Sequence, residues 1–260
     1  MNNQNKIPVA VLGCTGSVGQ KFIELLSNHP WFEIKELAAS ESSAGKRYVD
    51  AADWFLSTSI PGSVRNIVVK KCEPVLDCKV VFSGLDASIA GEVETEFAKK
   101  GYKVISNSKN HRMDEDVPLL VPEINPDHIE LIKNQRFGDG FIVTNPNCSV
   151  IGLTIALKPI IDNFGVEAVN VITMQAISGA GNPKKVSLDI GDNVIPFIGG
   201  EESKMESEPK KIFGKLNNGR IAFDTMNVSA QCNRVNVTHG HLEAVQIKLK
   251  LKSSIDDIIN

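Results

Sequence analysis

The stretch TNPNCSVIGL places one cysteine where a thiol could act as a nucleophile. Cys148 stands between a short apolar run and a long one. A helix running from Ser149 would lower the pKa of this thiol through the helix dipole. Asn147 and the N–H groups of the turn could stabilise an oxyanion on a carbon that the sulfur attacks. Buried cysteines are usually inert, but this setting favours a reactive one.

The stretch NRVNVTHGHLEAV supplies partners for such a thiol. An imidazole can take and return protons near neutral pH, and His239 and His241 are both candidates. Strand alternation would put the two rings on the same side of a strand, so the spacing does not choose between them. Arg234 could hold a carboxylate through two parallel hydrogen bonds.

Three glycines near the start predict a phosphate-binding turn. Gly13, Gly16 and Gly19 have the spacing G-x-x-G-x-x-G, after an apolar run and before an amphipathic one. Glycines at a strand-to-helix turn let the backbone approach a pyrophosphate, and the helix N-terminus supplies N–H groups and a positive dipole. The alternative is a tight turn without a ligand, but the position between strand and helix favours a nucleotide.

The end of the next apolar strand indicates which nucleotide binds. An NAD site usually carries an acidic residue there, which holds the ribose hydroxyls. Here the strand runs into AASESSAGKRY, where Glu41 favours NAD. The residues of this stretch that could hold a 2′-phosphate are Ser40, Ser42, Ser43, Lys46 and Arg47. We therefore predict NADP (NADPH) as the cofactor.

The order of the elements predicts an α/β chain of two domains. Up to Cys148, short apolar strands alternate with helical patterns, which is typical of a doubly wound parallel sheet with helices on both faces. The predicted strands there include IPVAVLG, FEIKELAAS, VRNIVVKKC and KVVFSGL. Beyond Cys148, longer and partly alternating strands suit an antiparallel or mixed sheet. We expect a dinucleotide-binding domain over residues 1–147 and a catalytic and oligomerisation domain over residues 148–260.

The composition argues against several classes of protein. The 260 residues carry a net charge of -3, which gives no general attraction to nucleic acid or to anionic membranes. No apolar run reaches the length of a membrane span, and the first residues do not resemble a signal peptide. The five cysteines show neither a C-x-x-C pair nor the spacing of a disulfide framework. We therefore expect reduced thiols, no metal site and a cytoplasmic location.

Segments from nearly the whole chain resemble the aspartate-semialdehyde dehydrogenase family, in the branch typical of archaea and fungi. The matching segments are VLGCTGSVGQKF, AASESSAGKRY, VFSGLD, NHRMDEDVPLLVPEINPDH, TNPNCSVIGL, QAISGAGNP, IPFIGGEESKMESEPKKIFGKL and CNRVNVTHGHLEAV. The resemblance implies a Rossmann-like first domain and an α+β second domain of the glyceraldehyde-3-phosphate-dehydrogenase-like type. It implies NADPH-dependent reductive dephosphorylation of L-aspartyl 4-phosphate to L-aspartate 4-semialdehyde through a cysteine thioester, in lysine, threonine and methionine synthesis. The implied partners are the small-molecule substrate and inorganic phosphate, and the implied assembly is a homodimer or homotetramer.

The resemblance also implies roles for particular residues. Cys148 matches the nucleophile, and His241, rather than His239, matches the acid/base histidine. The implied substrate-binding residues are Arg112 and Lys204 for the phosphate, Arg234 for the α-carboxylate, Glu201 for the amine, Gln175 for the thioester, and Asn147. Together with the glycine turn and the strand end described above, the predicted cofactor-binding residues are Gly13, Thr15, Gly16, Ser17, Val18, Ser40, Ser43, Lys46, Ser83, Ser178 and Gly179.

Two positions depart from the family pattern. Cys14 stands where the family usually has alanine, which puts a second thiol beside the cofactor. Ser42 stands where many members have an arginine near the 2′-phosphate, which weakens the argument for a strict preference for NADP.

The chain ends at LKSSIDDIIN, where members of the family run on. Ser253 with Asp256, or Ser254 with Asp257, predicts a capping box that starts a short helix at this end. We therefore expect a C-terminally truncated chain, whose missing part includes contacts to the nicotinamide.

Two alternatives remain open at this point. Malonyl-CoA reductases of some archaea belong to the same branch and use the same thioester chemistry on a CoA ester. A truncated chain could also be an inactive cofactor-binding protein or an oligomer partner, which would bind the cofactor without forming a thioester. N-acetyl-glutamyl-phosphate reductases use the same cysteine and histidine, but have glycine where Asn147 stands here.

Overall fold

The computed structural model describes residues 6–180 and 190–259. The chain divides into two compact units, of which the first comprises Met1–Pro118 and Glu130–Asn145 and the second Leu119–Ile129 and Pro146–Asn260. The segment Leu119–Ile129 therefore belongs to the second unit, although the sequence had led us to include it in the first domain. The last residues of the QAISGAGNP stretch, 181–183, lie outside the described residues.

The first unit is built on a six-stranded sheet in which every neighbouring pair of strands is parallel. Its strands are β1 (Ile7–Leu12), β2 (Phe32–Ala39), β3 (Lys70–Lys71), β4 (Val80–Ser83), β5 (Lys103–Ser106) and β6 (Phe141–Thr144). Its helices are α1 (Ser17–Leu26), α2 (Tyr48–Ala51) and α3 (Ala87–Lys99). The strand order β3-β2-β1-β4-β5-β6 is that of a Rossmann fold, with the change of direction between β1 and β4. The predicted parallel sheet is confirmed, but the strand expected over VRNIVVKKC is reduced to the two residues of β3.

Strand β1 shows why this sheet carries helices on both faces. From Val9 to Leu12 its residues are fully buried, and alternate side chains point to opposite faces. Val9 and Val11 join a buried cluster with Ile23 of α1. Leu12 joins a second cluster with Phe97 of α3. Each large apolar side chain buried in this way stabilises the fold by about 1.5–3 kcal/mol.

The glycine-rich turn lets α1 lie directly against the end of β1. Gly13 has a φ of 70°, in the left-handed region that favours glycine. Gly19 lies within α1, and a Cβ atom there would be 2.2 Å from the carbonyl oxygen of Gly13. The two glycines therefore serve the turn and the close helix–strand contact, as expected for a dinucleotide-binding turn.

The second unit is built on a three-stranded sheet of order β10-β7-β11, in which β10 is parallel and β11 antiparallel to the central strand. Its strands are β7 (Val166–Gln175), β8 (Lys215–Asn217), β9 (Arg220–Ala222), β10 (Asn227–Arg234) and β11 (Leu242–Leu249), of which β8 and β9 form a separate pair. Its helices are α4 (Cys148–Phe164), α5 (Glu201–Ile212) and α6 (Ile255–Ile259). The structure also has 3-10 segments at Pro126–Asn134 and Ile177–Ala180. The predicted mixed sheet is confirmed.

One face of this sheet forms the core of the second unit. Val169 and Val171 of β7 pack with Leu153 of α4 and Met205 of α5. Ile172 belongs to the opposite face and is 46% exposed, although β7 is the central strand. The apolar sequence of β7 therefore has one buried and one open face.

Short elements complete the described parts of the chain. At the start of α6, the main-chain N–H of Ser254 donates to Asp257, and the N–H of Asp257 donates to the Ser254 hydroxyl. The second of the two predicted capping boxes is thus the one that forms. Across residues 6–180 and 190–259, the helices are all too short or too polar to cross a membrane.

Candidate active site

Cys148 is the first residue of α4, and Asn147 is the residue that caps this helix. The side-chain oxygen of Asn147 accepts hydrogen bonds from the main-chain N–H groups of Ser149, at 3.0 Å, and Val150, at 3.5 Å. This capping fixes the first turn of the helix, where the dipole favours a negative charge. The predicted helix start at Ser149 is therefore correct to within one residue, and the Cys148 side chain is exposed.

His241 is the side chain that meets this sulfur. Its Nε2 lies 3.2 Å from the Sγ of Cys148, and its Nδ1 accepts a hydrogen bond from the main-chain N–H of Ala176 at 3.0 Å. Because Nδ1 acts as an acceptor, the proton of the neutral ring lies on Nε2, which faces the sulfur. Burial and then the nearby charge of Arg234 lower the pKa of His241, which favours this neutral form. The pair is thus arranged as an N–H donor that faces the sulfur of Cys148 as acceptor.

His239 and His241 lie in the connection between β10 and β11, residues 235–241, and not on one strand as the alternation suggested. Main-chain hydrogen bonds tie this connection to the 3-10 segment Ile177–Ala180, from Ile177 to Val237 at 2.8 Å and from Ser178 to Thr238 at 3.2 Å. His239 is exposed, whereas His241 is partly buried beside Cys148. The structure therefore separates the two histidines that the spacing could not.

Arg234 and Gln175 are brought together by the sheet. They are the last residues of β10 and β7, and they are paired in the register of these strands. Arg234 is 6% exposed and donates through Nη1 to the carbonyl of Ala176 at 2.7 Å. Burial lowers the pKa of Arg234, against the opposing effect of Glu201 and Cys148, and the guanidinium remains charged at ordinary pH. Gln175 is buried, and its amide donates to the hydroxyl of Thr173 at 3.3 Å.

Gly179 lies against the same pair. A Cβ atom at Gly179 would be 3.2 Å from Nη1 of Arg234 and from Cε1 of His241. The predicted Ser178–Gly179 turn therefore borders the reactive residues within the second unit.

Helix α5 supplies the acidic and basic pair of the site. Glu201 and Lys204, one turn apart, form an ion pair, and Glu201 also accepts a hydrogen bond from the side-chain amide of Asn147 at 2.7 Å. Burial raises the pKa of Glu201, but the hydrogen bonds from Lys204 and Asn147 outweigh this effect and leave the pKa below its usual value. Both ends of the Asn147 amide are therefore engaged, but its nitrogen carries a second N–H, so the predicted oxyanion contact stays a prediction.

The glycine turn of the first unit fits a dinucleotide phosphate. Gly16 precedes α1 and is exposed, and no side chain of the described residues caps this helix start. Thr15, Ser17 and Val18 are partly exposed around the same turn. A helix start without a side-chain cap leaves N–H groups for an anion, which is the arrangement expected for a pyrophosphate.

The loop after β2 bears on the choice between NADP and NAD. Ser40 and Ser43 lie in one turn, in which the N–H of Ser43 donates to the carbonyl of Ser40, and Lys46 follows as an exposed cation. Glu41, the residue that favoured NAD, forms an exposed ion pair with Lys71 at 2.7 Å. The negative charge of Glu41 is thus paired with the positive charge of Lys71. This pairing reduces the repulsion that Glu41 would exert on a 2′-phosphate.

Two predicted residues have other partners inside the first unit. The hydroxyl of Ser83 is fully buried and donates to Glu94 at 2.6 Å, so it does not face a ligand. The predicted contact of Ser83 to the cofactor would have to be made by its main-chain atoms. Arg112 is 6% exposed, and its Nη2 donates to the carbonyl of Asn107 at 2.9 Å. Its predicted phosphate contact stays a prediction.

Glu208, Ala176 and Glu243 were missed by the sequence analysis. Glu208 accepts the main-chain N–H of Asn147 at 2.7 Å, and Ala176 orients His241 through its main chain. Burial raises the pKa of Glu243 to about 7, against a smaller opposite effect of Ser149. Glu208 stands in a charged run, GGEESKMESEPKK, in which its position does not distinguish it from its neighbours. Ala176 makes its contacts through its main chain, so its residue type gives no indication of them in the sequence.

The other four thiols lie in unreactive settings. Burial, and then the charge of Cys72, raises the pKa of Cys14 to about 12. Burial, and then the charge of Glu36, raises the pKa of Cys78 to about 12. Burial also raises the pKa values of Cys72 and Cys232. Cys14, the departure noted beside the cofactor turn, is therefore a buried and unreactive thiol.

We expect brief alkylation with limiting iodoacetamide near neutral pH to label Cys148 before the other cysteines, because it is exposed and lies at a helix start. Mass spectrometry of digested samples gives the order of labelling. The control is Cys148→Ser, which should remove the fast phase and leave the slow labelling unchanged. First labelling of Cys72, which is only partly buried, would contradict the assignment.

Comparison with known proteins agrees with this geometry. The family model described as "Semialdehyde dehydrogenase, NAD binding domain" matches residues 8–132, and "Semialdehyde dehydrogenase, dimerisation domain" matches residues 157–260. The aspartate-semialdehyde dehydrogenase of Archaeoglobus fulgidus is 50% identical over 253 residues, which cover 96% of this chain and 74% of the relative.

Solved structures agree as well. Aspartate semialdehyde dehydrogenase with NADP from Candida albicans is 44% identical, has a TM-score of 0.89, and is matched over 98% of this chain and 75% of the other. Aspartate semialdehyde dehydrogenase II complexed with ASA from Vibrio cholerae is 28% identical, has a TM-score of 0.80, and is matched over 98% and 78%. From sequence and fold together, this chain belongs to the aspartate-semialdehyde dehydrogenase family.

Proposed function

We propose that the chain catalyses the NADPH-dependent reductive dephosphorylation of L-aspartyl 4-phosphate to L-aspartate 4-semialdehyde, in the synthesis of the aspartate family of amino acids. The observation that carries this proposal is the distance of 3.2 Å between the Sγ of Cys148 and Nε2 of His241, at a capped helix start, in a chain of this family. The proposal assigns cofactor binding to the first unit and catalysis and oligomerisation to the second.

In the first step, the thiolate of Cys148 attacks the acyl carbon of the substrate. A carbon–sulfur bond forms, the bond between the acyl carbon and the phosphate oxygen breaks, and the phosphate leaves with the electron pair of that bond and takes up one proton to become hydrogen phosphate. The product is a thioester on Cys148. Lys204, which is partly exposed on α5, is suited to meet the phosphate as a point charge.

In the second step, the thioester is reduced to the aldehyde. Bound NADPH supplies a hydride to the carbonyl carbon when it is present. The tetrahedral oxyanion collapses, the carbon–sulfur bond breaks, and the thiolate of Cys148 is regenerated, so that no proton is consumed in this step. The Nε2–H of His241 faces this reacting centre, where it donates a hydrogen bond to the oxyanion and then to the departing thiolate.

The remaining residues of the second unit suit an amino-acid substrate. Arg234 has donors beyond the one used by Ala176, so it can hold an α-carboxylate. Glu201, whose lowered pKa keeps it ionised, can accept from a substrate amine. Gln175, paired with Arg234 at the strand ends, is assigned to the thioester oxygen.

The cofactor assignment follows the first unit. The turn Gly13–Gly16 and the start of α1 are assigned to the pyrophosphate, and the loop from Ser40 to Lys46 to the 2′-phosphate. The NADP in the Candida albicans structure, which is 44% identical, supports NADP rather than NAD.

The chain is also proposed to form a homodimer or homotetramer. The dimerisation-domain match suggests an oligomer, and the open face of the three-stranded sheet carries Ile172 and Leu242, 46% and 63% exposed. Light scattering should therefore give at least twice the mass of one chain, and a monomer at working concentrations would contradict this part of the proposal.

The cytoplasm is the proposed location, because its reducing conditions keep Cys148 as a thiol. Cell fractionation tests that location.

The proposed reaction is tested in the oxidative direction. With aspartate semialdehyde, NADP and phosphate, the chain should form NADPH, and steady turnover should require phosphate. The substitution His241→Asn should lower kcat on the order of 10²-fold or more, because the shorter amide no longer places a donor beside the sulfur and cannot take and return a proton near neutral pH. His239→Asn is the matched control and should have little effect. Oxidation of NADPH with malonyl-CoA instead, or a larger loss in His239→Asn, would contradict the proposal.

A further inference from the structure

Helix α5 directs four carboxylates at N–H groups of neighbouring segments. Two of them meet strand β10, which forms the edge of its sheet. Glu206 accepts from the main-chain N–H of Ala230, and Glu202 from that of Cys232, both at 3.2 Å. The next outward N–H, that of Arg234, donates to the carbonyl of Ile195 at 2.8 Å. These contacts satisfy alternate N–H groups of an edge strand, which is a structural role.

The other two carboxylates meet the residue before the reactive cysteine. Glu201 accepts from the side chain of Asn147, and Glu208 accepts from its main-chain N–H at 2.7 Å. Glu208 is 2% exposed. At this distance the carboxylate oxygen makes a direct hydrogen bond to the main-chain N–H, and burial keeps water from replacing it.

We propose that Glu208 is a positioning residue for the nucleophile, which holds the turn at Asn147 so that the sulfur of Cys148 stays at the start of α4 and beside His241. This inference rests on the proposed function. The proposed action is through the hydrogen bond, and not through the negative charge, because a buried anion near a thiolate would disfavour that thiolate.

The length of the Glu208 side chain therefore matters most, because it determines whether the carboxylate reaches the N–H of Asn147. The N–H of Asn147 lies one residue before Cys148 along the main chain. A shift of this N–H group therefore also moves the Cα atom and the sulfur of Cys148. A displacement of about 1 Å at a reacting centre can lower the rate by about 10²-fold. Arg234 and Lys204 are assigned to the anionic groups of the substrate and do not bond to this turn, and Glu201 meets only the side chain of Asn147. Substrate binding should therefore change less than turnover.

Two substitutions separate reach from charge. Glu208→Gln keeps the length and an acceptor oxygen but removes the charge. Glu208→Asp keeps the charge but withdraws the acceptor by about 1.5 Å. The matched control is Glu206→Asp, which shortens a neighbouring carboxylate on the same helix that meets β10 instead. Should Glu208→Asp fail to fold, Glu208→Met takes its place, because it keeps the length without a carboxylate acceptor.

The measurements are the rate of Cys148 alkylation by iodoacetamide against pH, kcat and KM in the phosphate-dependent direction, and the melting temperature. Alkylation needs neither substrate nor cofactor, so it tests the positioning of Cys148 even if the proposed reaction is wrong. We expect Glu208→Asp to lower the alkylation rate near neutral pH about tenfold, by raising the pH midpoint of the thiolate. Its kcat should fall by about 10- to 100-fold with KM little changed.

Glu206→Asp should stay close to the unsubstituted chain in alkylation and in kcat, and Glu208→Gln should be impaired in neither. The opposite ranking, with Glu208→Gln impaired and Glu208→Asp spared, would show that the charge acts instead and overturn the proposal. Equal impairment of both Glu208 variants, no impairment of either, or an equal loss in Glu206→Asp would overturn it as well.

Discussion

The hydrogen bonds of Asn147 hold the first turn of α4, and the position of the reactive sulfur depends on them. The side-chain oxygen of Asn147 caps the helix, its amide nitrogen donates to Glu201, and its main-chain N–H donates to Glu208. Since Cys148 is the next residue, these three contacts determine where the thiol lies relative to the helix dipole. Helix α5 therefore carries the proposed substrate-binding pair, Glu201 and Lys204, and also bonds to the residue before Cys148.

A second constraint orients the partner of that sulfur. Ala176 follows the end of β7 and uses both of its main-chain polar groups in the site, because its N–H donates to His241 and its carbonyl accepts from Arg234. One peptide position thus sets the ring proton of the histidine and the direction of the guanidinium. Cys148, His241 and Arg234 are thus held on separate elements of the second unit, and main-chain contacts fix the last two.

The sequence predicted the local features well, because their causes are local. The glycine turn, the parallel strands and the helix start near Cys148 follow from spacing and residue type within a few positions. The contacts that orient the site were not predictable in this way. Glu208 and Asn147 are 61 positions apart, and Cys148 and His241 are 93 apart. Only the resemblance to a family distinguished His241 from His239, and only the structure showed that neither lies on a strand.

Some predicted contacts were changed by partners that the sequence does not reveal. Ser83 ends a strand as expected, but burial turns its hydroxyl towards Glu94. The amide of Asn147, which was predicted to face an oxyanion, also donates to Glu201 and so helps to hold the turn. In both cases a polar side chain near the expected position satisfies a buried neighbour, because an unpaired polar group in the interior is unfavourable.

The central claim is that Cys148 carries the substrate as a thioester, and trapping of this intermediate tests it most directly. With aspartate semialdehyde and NADP but without phosphate, hydride transfer can proceed while the thioester lacks its acceptor. Intact-mass and peptide mass spectrometry should then find one acyl group per active chain on Cys148, formed together with an equal amount of NADPH, and Cys148→Ser should show neither. NADPH formed without a covalent adduct, or an adduct on another residue, would contradict the account.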